Sequence, residues 1–308
     1  MTQEDIQVLK ILLSVHSPSG EEYRMKQCLI ELIQGEIPSW SNQPSELKTA
    51  GMGDAFYLVF GDPRTIVFAH MDTTGFMSRY QNQLIPIGGP EVENDYKLTG
   101  QDHAGYIECL LKIDKEGHLF HDFPRAIARG ATLIFRPDLR ITKEYVMSPY
   151  LDNRLGILNA LKVCETLKDG IVAFSCYEEI GGGSVSVLLE DIMAKYAIRQ
   201  ALISDITWIT EGVRHGDGVV ISIRDQNIPR RPFINKIIDL TLKSGIPFQL
   251  EVEAGGASDG REVHHSRFQI DWCFIGAPEN NVHSPNETVH LEDFKAMTDL
   301  YRFLMKNL

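Results

Sequence analysis

The chain has 308 residues, enough for one large domain or two smaller ones around a sizeable core. Hydrophobic content of 43% and charged content of 23% are ordinary for a globular protein. The net charge of −12 argues against a nucleic-acid partner, which needs Lys and Arg stripes, and suits bound divalent cations whose charge carboxylates would cancel. Thr2 and Asp5 form a loose capping box, and Ile6, Leu9, Leu12 and Leu13 follow at helical spacing. Ser17-Pro18-Ser19-Gly20 ends that helix. Glu21 and Glu22 suit the first turn of a second one, whose buried face is Met25, Leu29, Leu32 and Ile33. Residues 55–60 and 65–69 read as strands separated by Gly61-Asp62-Pro63, the second running into His70-Met71-Asp72-Thr73-Thr74-Gly75.

From residue 76 to 147 short β-like pieces alternate with glycine-rich turns and no long amphipathic helix occurs, which predicts a small all-β insertion of roughly 70 residues. Asp152-Asn153-Arg154-Leu155-Gly156 then opens a helix carrying Ile157, Leu158, Leu161 and Leu167. An apolar run, 171–174, leads to Glu178-Glu179 and three glycines, the pattern of a buried strand ending in a loop. A helix ending near Arg199 follows, then a strand over 201–204 that ends at Asp205. Further strands are predicted at 219–223, 248–252 and 270–275, with a helix opened by Pro232 and a last one over 291–304. Strands alternating with helices predict an α/β fold, a mostly parallel sheet with helices on both faces, plus the small all-β inserted domain. The domain expectation is 1–75 with 148–308 for the first unit and 76–147 for the second.

The cysteines, Cys28, Cys109, Cys164, Cys176 and Cys273, are scattered without a CxxC pair, so no disulfide framework or thiolate metal site is indicated. Residues 1–10 lack the basic start and apolar run of a signal peptide, and no apolar stretch approaches membrane-spanning length; a cytoplasmic protein with no membrane partner is expected.

Ligand-type residues fall at successive predicted strand ends or loop starts: His70 with Asp72, Asp152, Glu179 and Asp205, with His283 in the loop Asn281-Val282-His283-Ser284-Pro285. Imidazoles and carboxylates without thiolates describe a zinc, cobalt or manganese site. Each has an ordinary alternative. His70 could be a hydrogen-bonded core histidine, Asp152 a helix cap, Asp205 or Asp72 a turn former, and Glu178-Glu179 a solvated strand end. The joint arrangement is what argues for a metal centre. His264 and His265 compete with His283, with a polar helix face as their ordinary reading.

The ordered set His70-Met71-Asp72, Leu151-Asp152-Asn153-Arg154, Glu178-Glu179-Ile180-Gly181, Ser204-Asp205 and Val282-His283-Ser284-Pro285 resembles the TET-type dinuclear metalloaminopeptidases, which include glutamyl and deblocking aminopeptidases and members formerly called endoglucanases. The likeness runs from about Ser17 to the last helix. It implies a zinc-exopeptidase-like catalytic domain and two divalent ions per chain, zinc first with cobalt or manganese as alternatives. His70 and Asp205 would hold one ion, Glu179 and His283 the other, and Asp152 would bridge them. Glu178 would be the general base and Asp72 would orient His70. The implied reaction is removal of N-terminal residues from peptide substrates by a water bridged between the metals. The 76–147 insertion stands where the family carries its dimerisation domain, which implies a homo-oligomer of dimers, up to a dodecamer. The chain departs from the family at Thr73-Thr74 and at Ser258-Asp259-Gly260-Arg261, where an Arg replaces a small residue. Competing readings are a metal-dependent deacylase or carboxypeptidase on the same scaffold, and a non-catalytic assembly scaffold. A glycosidase reading is disfavoured, because paired carboxyls suffice for that chemistry and it needs no histidine.

Overall fold

The computed structural model describes residues 1–308. Four parallel strands form the centre of an 11-stranded mixed sheet, in the spatial order Gly170–Ser175, Thr65–His70, Gln200–Trp208 and Asp271–Asn280. The first two are buried at every position, which is why their sequences are continuous apolar runs and do not alternate. The flanks are antiparallel. Phe56–Phe60 pairs with Gly170–Ser175, and Val219–Arg224 pairs with Asp271–Asn280 while running parallel to Phe248–Val252.

Helices cover both faces. Leu151–Cys164 lies on the two central strands and packs against Gln3–Ser14 and Leu291–Asn307, with Arg231–Ser244 beside the latter; Val185–Met193 and Asp259–His265 form the opposing group. The capping box opens the first helix: Thr2 Oγ1 accepts from the Asp5 N–H at 3.1 Å and Asp5 Oδ2 from the Thr2 N–H at 2.7 Å. Val185–Met193 stops well before Arg199: the Lys195 and Tyr196 N–H groups both turn back to the Ile192 carbonyl, and the Arg199 N–H donates to the Arg64 carbonyl as the chain enters its next strand. Gly156 lets the Leu151–Cys164 helix approach the sheet. A Cβ there would lie 2.3 Å from the Ser204 carbonyl oxygen.

Six strands between Gly75 and Phe135 close into a separate antiparallel barrel, in the order Gly75–Ser78, Gln83–Ile87, Leu119–His121, Gly105–Ile113, Lys97–Asp102 and Thr132–Phe135. Phe76, Leu84, Leu98, Ile107, Leu111, Leu133 and Phe135 fill it. Phe135 also stacks on Tyr150, with ring centroids 6.0 Å apart, and this joins the barrel core to the loop before Asp152. The short strands Arg140–Ile141 and Tyr145–Met147 lie outside the barrel. They reach the main sheet through Thr288–His290. No helix is long and apolar enough to cross a membrane.

Candidate metal centre

The carboxyl ends of the central strands open into a crevice, the usual ligand position in an α/β sheet. His70 is the last residue of its strand. The register pairs Ile203 with Phe68, so Asp205 stands level with His70 on the neighbouring strand, while Ser175 pairs with His70 from the other side. Glu178 and Glu179 follow Ser175 in a short 3-10 turn. Asp152 lies at the entry of its helix with non-helical backbone (φ −76°, ψ 106°), and its carboxylate turns to His70 and His283 without capping the helix N–H groups. His283 comes from the loop before Thr288–His290. The loops carrying Asp152, Glu178-Glu179 and His283 each include a non-glycine residue in the left-handed region, Tyr150 (φ 69°), Tyr177 (φ 67°) and His283 itself (φ 62°). Such conformations cost about 1–3 kcal/mol each and persist where surroundings enforce them.

These loops bring all seven residues singled out in the sequence together. His70 Nε2 is 3.1 Å from Asp152 Oδ1, 3.6 Å from Asp205 Oδ1 and 4.0 Å from Glu178 Oε2. His283 Nε2 is 3.4 Å from Asp152 Oδ2 and 3.2 Å from Glu179 Oε2. Two donor groups result, His70–Asp152–Asp205 and Asp152–Glu179–His283, each with its ligand atoms within 4.8 Å of one another. Asp152 is common to both and turns one oxygen to each. His264 and His265 lie exposed on the helix Asp259–His265 and join neither group.

Surrounding contacts orient these donors. Asp72 Oδ1 is 3.4 Å from His70 Nδ1, and the same fully buried carboxylate accepts from Ser19 Oγ (2.7 Å) and from the N–H groups of Glu178 and Glu179 (both 3.1 Å). Burial alone would raise its pKa, but His70, Ser19 and the Glu179 N–H hold it below the usual range. His283 Nδ1 lies 3.1 Å from the Gly89 carbonyl in the barrel segment, leaving Nε2 for the crevice. Arg154, 1% exposed, ties the region together by donating to the Met71 carbonyl (2.7 Å) and Ser17 Oγ (2.6 Å).

The centre is strongly anionic. Asp72, Asp152, Glu178, Glu179 and Asp205 converge on two imidazoles, and none of these carboxylates forms an ion pair with a Lys or Arg. Burial pushes Glu178 well above, and Asp205 above, the normal carboxylate range in the metal-free protein. Buried charge of one sign costs several kcal/mol per group unless cations compensate it. The hard and intermediate donor set fits divalent metal ions.

Several buried acids escaped the sequence reading. Glu22, read in sequence only as a helix-start acid, precedes the second helix without capping it and accepts from the Tyr177 and Gly20 N–H groups; burial, then the nearby Asp72, pushes it up to about 7. Asp259 starts a helix where a turn is expected, accepts from Ser175 Oγ, and is pushed up to about 7 by burial. Glu279 and Glu287 are each 1% exposed behind the His283 loop. Only Glu287 carries a local signal, four residues after His283. A cavity of about 300 Å³ opens beside Glu178 and Asp205 and is bordered by Trp208, Asp225, Glu251, Glu253 and Arg261.

Residues 113–300 match the M42 glutamyl aminopeptidase family. Among curated proteins, one from Acetivibrio thermocellus named as a candidate aminopeptidase is 25% identical, covering 95% of this chain and 96% of its own. Among solved structures, aminopeptidase APDkam598 from the archaeon Desulfurococcus kamchatkensis superimposes with a TM-score of 0.87 at 22% identity, over 99% of this chain and 95% of that one. The Pyrococcus horikoshii TET1 peptidase, which can assemble into a tetrahedron or a large octahedral shell, matches with a TM-score of 0.79 at 21% identity, over 97% and 98% of the two chains. The family match spans more than half of the sequence, so this chain belongs to the M42 family of metalloaminopeptidases.

Proposed function

We propose that the protein removes N-terminal residues from peptides with two divalent ions held side by side. The observation that carries this reading is Asp152, whose two oxygens face two separate donor groups 3.1 Å and 3.4 Å away. His70 and Asp205 complete the first group, Glu179 and His283 the second. Ions bound there, zinc first with cobalt or manganese as alternatives, supply the Lewis acidity that polarises a scissile carbonyl and acidifies water. Asp72 fixes the ring of His70, as a carboxylate behind a ligating imidazole does. Glu178 belongs to neither donor group and borders the cavity, which frees its carboxylate to take the proton of the attacking water and pass it to the departing amine.

The cavity supports a free amine as the recognised terminus. Beyond the proposed ligands it presents the carboxylates of Asp225, Glu251 and Glu253 against one guanidinium, Arg261, and this field favours a protonated α-amine over an acetylated one. The barrel leaves Met77, Tyr80, Ile85 and Tyr106 exposed on its surface, and we assign it the contacts between copies in a homo-oligomer of dimers, up to a dodecamer. Paired assays on one peptide with a free or acetylated terminus, with and without chelator, test the activity. Rapid release from the free-amine peptide and its loss with chelator are expected. Preferential cleavage of the acetylated peptide would make the enzyme a deacylase, and activity that survives full metal removal would overturn the reading.

A further inference from the structure

Glu287 hydrogen-bonds the backbone of both loops carrying the ends of the second donor group. Its Oε2 accepts from the Asp152 N–H at 3.1 Å, and its Oε1 accepts from the His283 N–H at 3.0 Å. The residues it joins lie 135 and 4 positions away in sequence. His283 holds a left-handed backbone and Asp152 a break in its helix, so neither loop is locked by regular hydrogen bonding of its own. A single carboxyl group that accepts from amides on two separate loops restrains the loops relative to each other. Behind it, Glu279 has no hydrogen-bond donor on either oxygen although it is 1% exposed.

We infer that Glu287 is a positioning residue for the two-ion centre: it clamps the Asp152 and His283 loops at the spacing the second ion requires. It touches no substrate and binds no ion itself. The inference rests on the two-ion reading for its consequence, but the clamp can be measured without metal. Zinc is removed from wild type and Glu287→Gln, amide exchange at residues 152 and 283 is followed in both, and zinc is then titrated back against a chelating indicator. The glutamine can accept from one amide and presents an NH2 group to the other. Both amides should exchange slowly in metal-free wild type. At least one should exchange tenfold or more faster in the variant, and the second zinc should bind about 10–100-fold more weakly, the usual cost of losing an outer partner. Cooperative melting of the metal-free variant near the wild-type temperature separates this loss from unfolding. Unchanged zinc affinity, or weaker affinity with unchanged exchange, would overturn the clamp, the second result pointing to charge alone. Should the variant fail to fold, free exchange of the two amides in metal-free wild type would overturn it equally. Slow exchange in a wild type that binds no zinc would uphold the clamp and sink the two-ion reading.

Discussion

Asp152→Ala is the most informative single change. Asp152 is the only residue shared by the two donor groups, with Oδ1 3.1 Å from His70 Nε2 and Oδ2 3.4 Å from His283 Nε2. Two-metal centres hold their ions about 3.5–4 Å apart. At an effective dielectric near 20, unit charges 4 Å apart interact by about 4 kcal/mol, and two dications repel by about four times that. A carboxylate between them offsets this repulsion from both sides; alanine removes the offset and one donor from each group. Each group keeps two donors, His70 with Asp205 and Glu179 with His283, and with the repulsion no longer offset one weakly held ion is the most the variant should retain. Loss of the second Lewis acid removes several kcal/mol of transition-state stabilisation, about a thousandfold in kcat. Metal per chain, measured by elemental analysis at one free-zinc concentration, gives the answer directly. Retention of two ions by Asp152→Ala would refute the bridging role and reduce Asp152 to a loop residue.

The other substitutions separate the remaining roles. Glu178→Gln should hold both ions yet turn over at least about 100-fold more slowly, since it removes a proton acceptor and not a ligand; metal loss equal to activity loss would mean that Glu178 and Glu179 have exchanged roles. His283→Ala should keep one ion, and Asp72→Ala should keep nearly two with affinity or activity lowered about 10–100-fold; the reverse order in elemental analysis would place Asp72 among the ligands. His16 joins the first helix to the barrel, its Nε2 2.7 Å from Thr132 Oγ1, and burial pushes its pKa down to about 4. Because the unfolded imidazole titrates near 6.5, its contribution to stability is complete above about pH 6.5 and is lost as pH falls toward 4. Urea unfolding of metal-free protein should therefore show wild type losing about 2 kcal/mol more than His16→Leu between pH 7 and 5, and equal losses would refute this.

Much of the architecture was legible in residue patterns, because those patterns report local physics. A capping box fixes where a helix begins, and a continuous apolar run such as Ile171 to Phe174 marks a strand buried on both faces. The glycine-rich 76–147 stretch marks a change of architecture. The carboxyl end of a strand is also a local property, which is why His70, Asp205 and Glu178-Glu179 could be singled out before their partners were known.

What residue patterns left open depended on which distant segments meet. The antiparallel flank at Phe56–Phe60 and the return of residues 140–147 to the main sheet follow from strand pairing, which no local periodicity encodes. The start of the helix Asp259–His265 was hidden because Gly255-Gly256 before it and Gly260 within it read as a turn, although His264 and His265 already suggested a helix face. Its burial against Trp272, with Ser258 as cap, overrides that propensity. The acids Glu22, Asp259, Glu279 and Glu287 look in sequence like any surface carboxylates, the commonest fate of such residues. Tertiary packing took them out of water, and a buried carboxylate must find donors, a proton or a cation. Asp152 and Glu287 are 135 residues apart, and the hydrogen bond between them exists only because two loops from different parts of the chain close on the same crevice. The donors of the centre were written along the chain, but their spacing was decided by the fold.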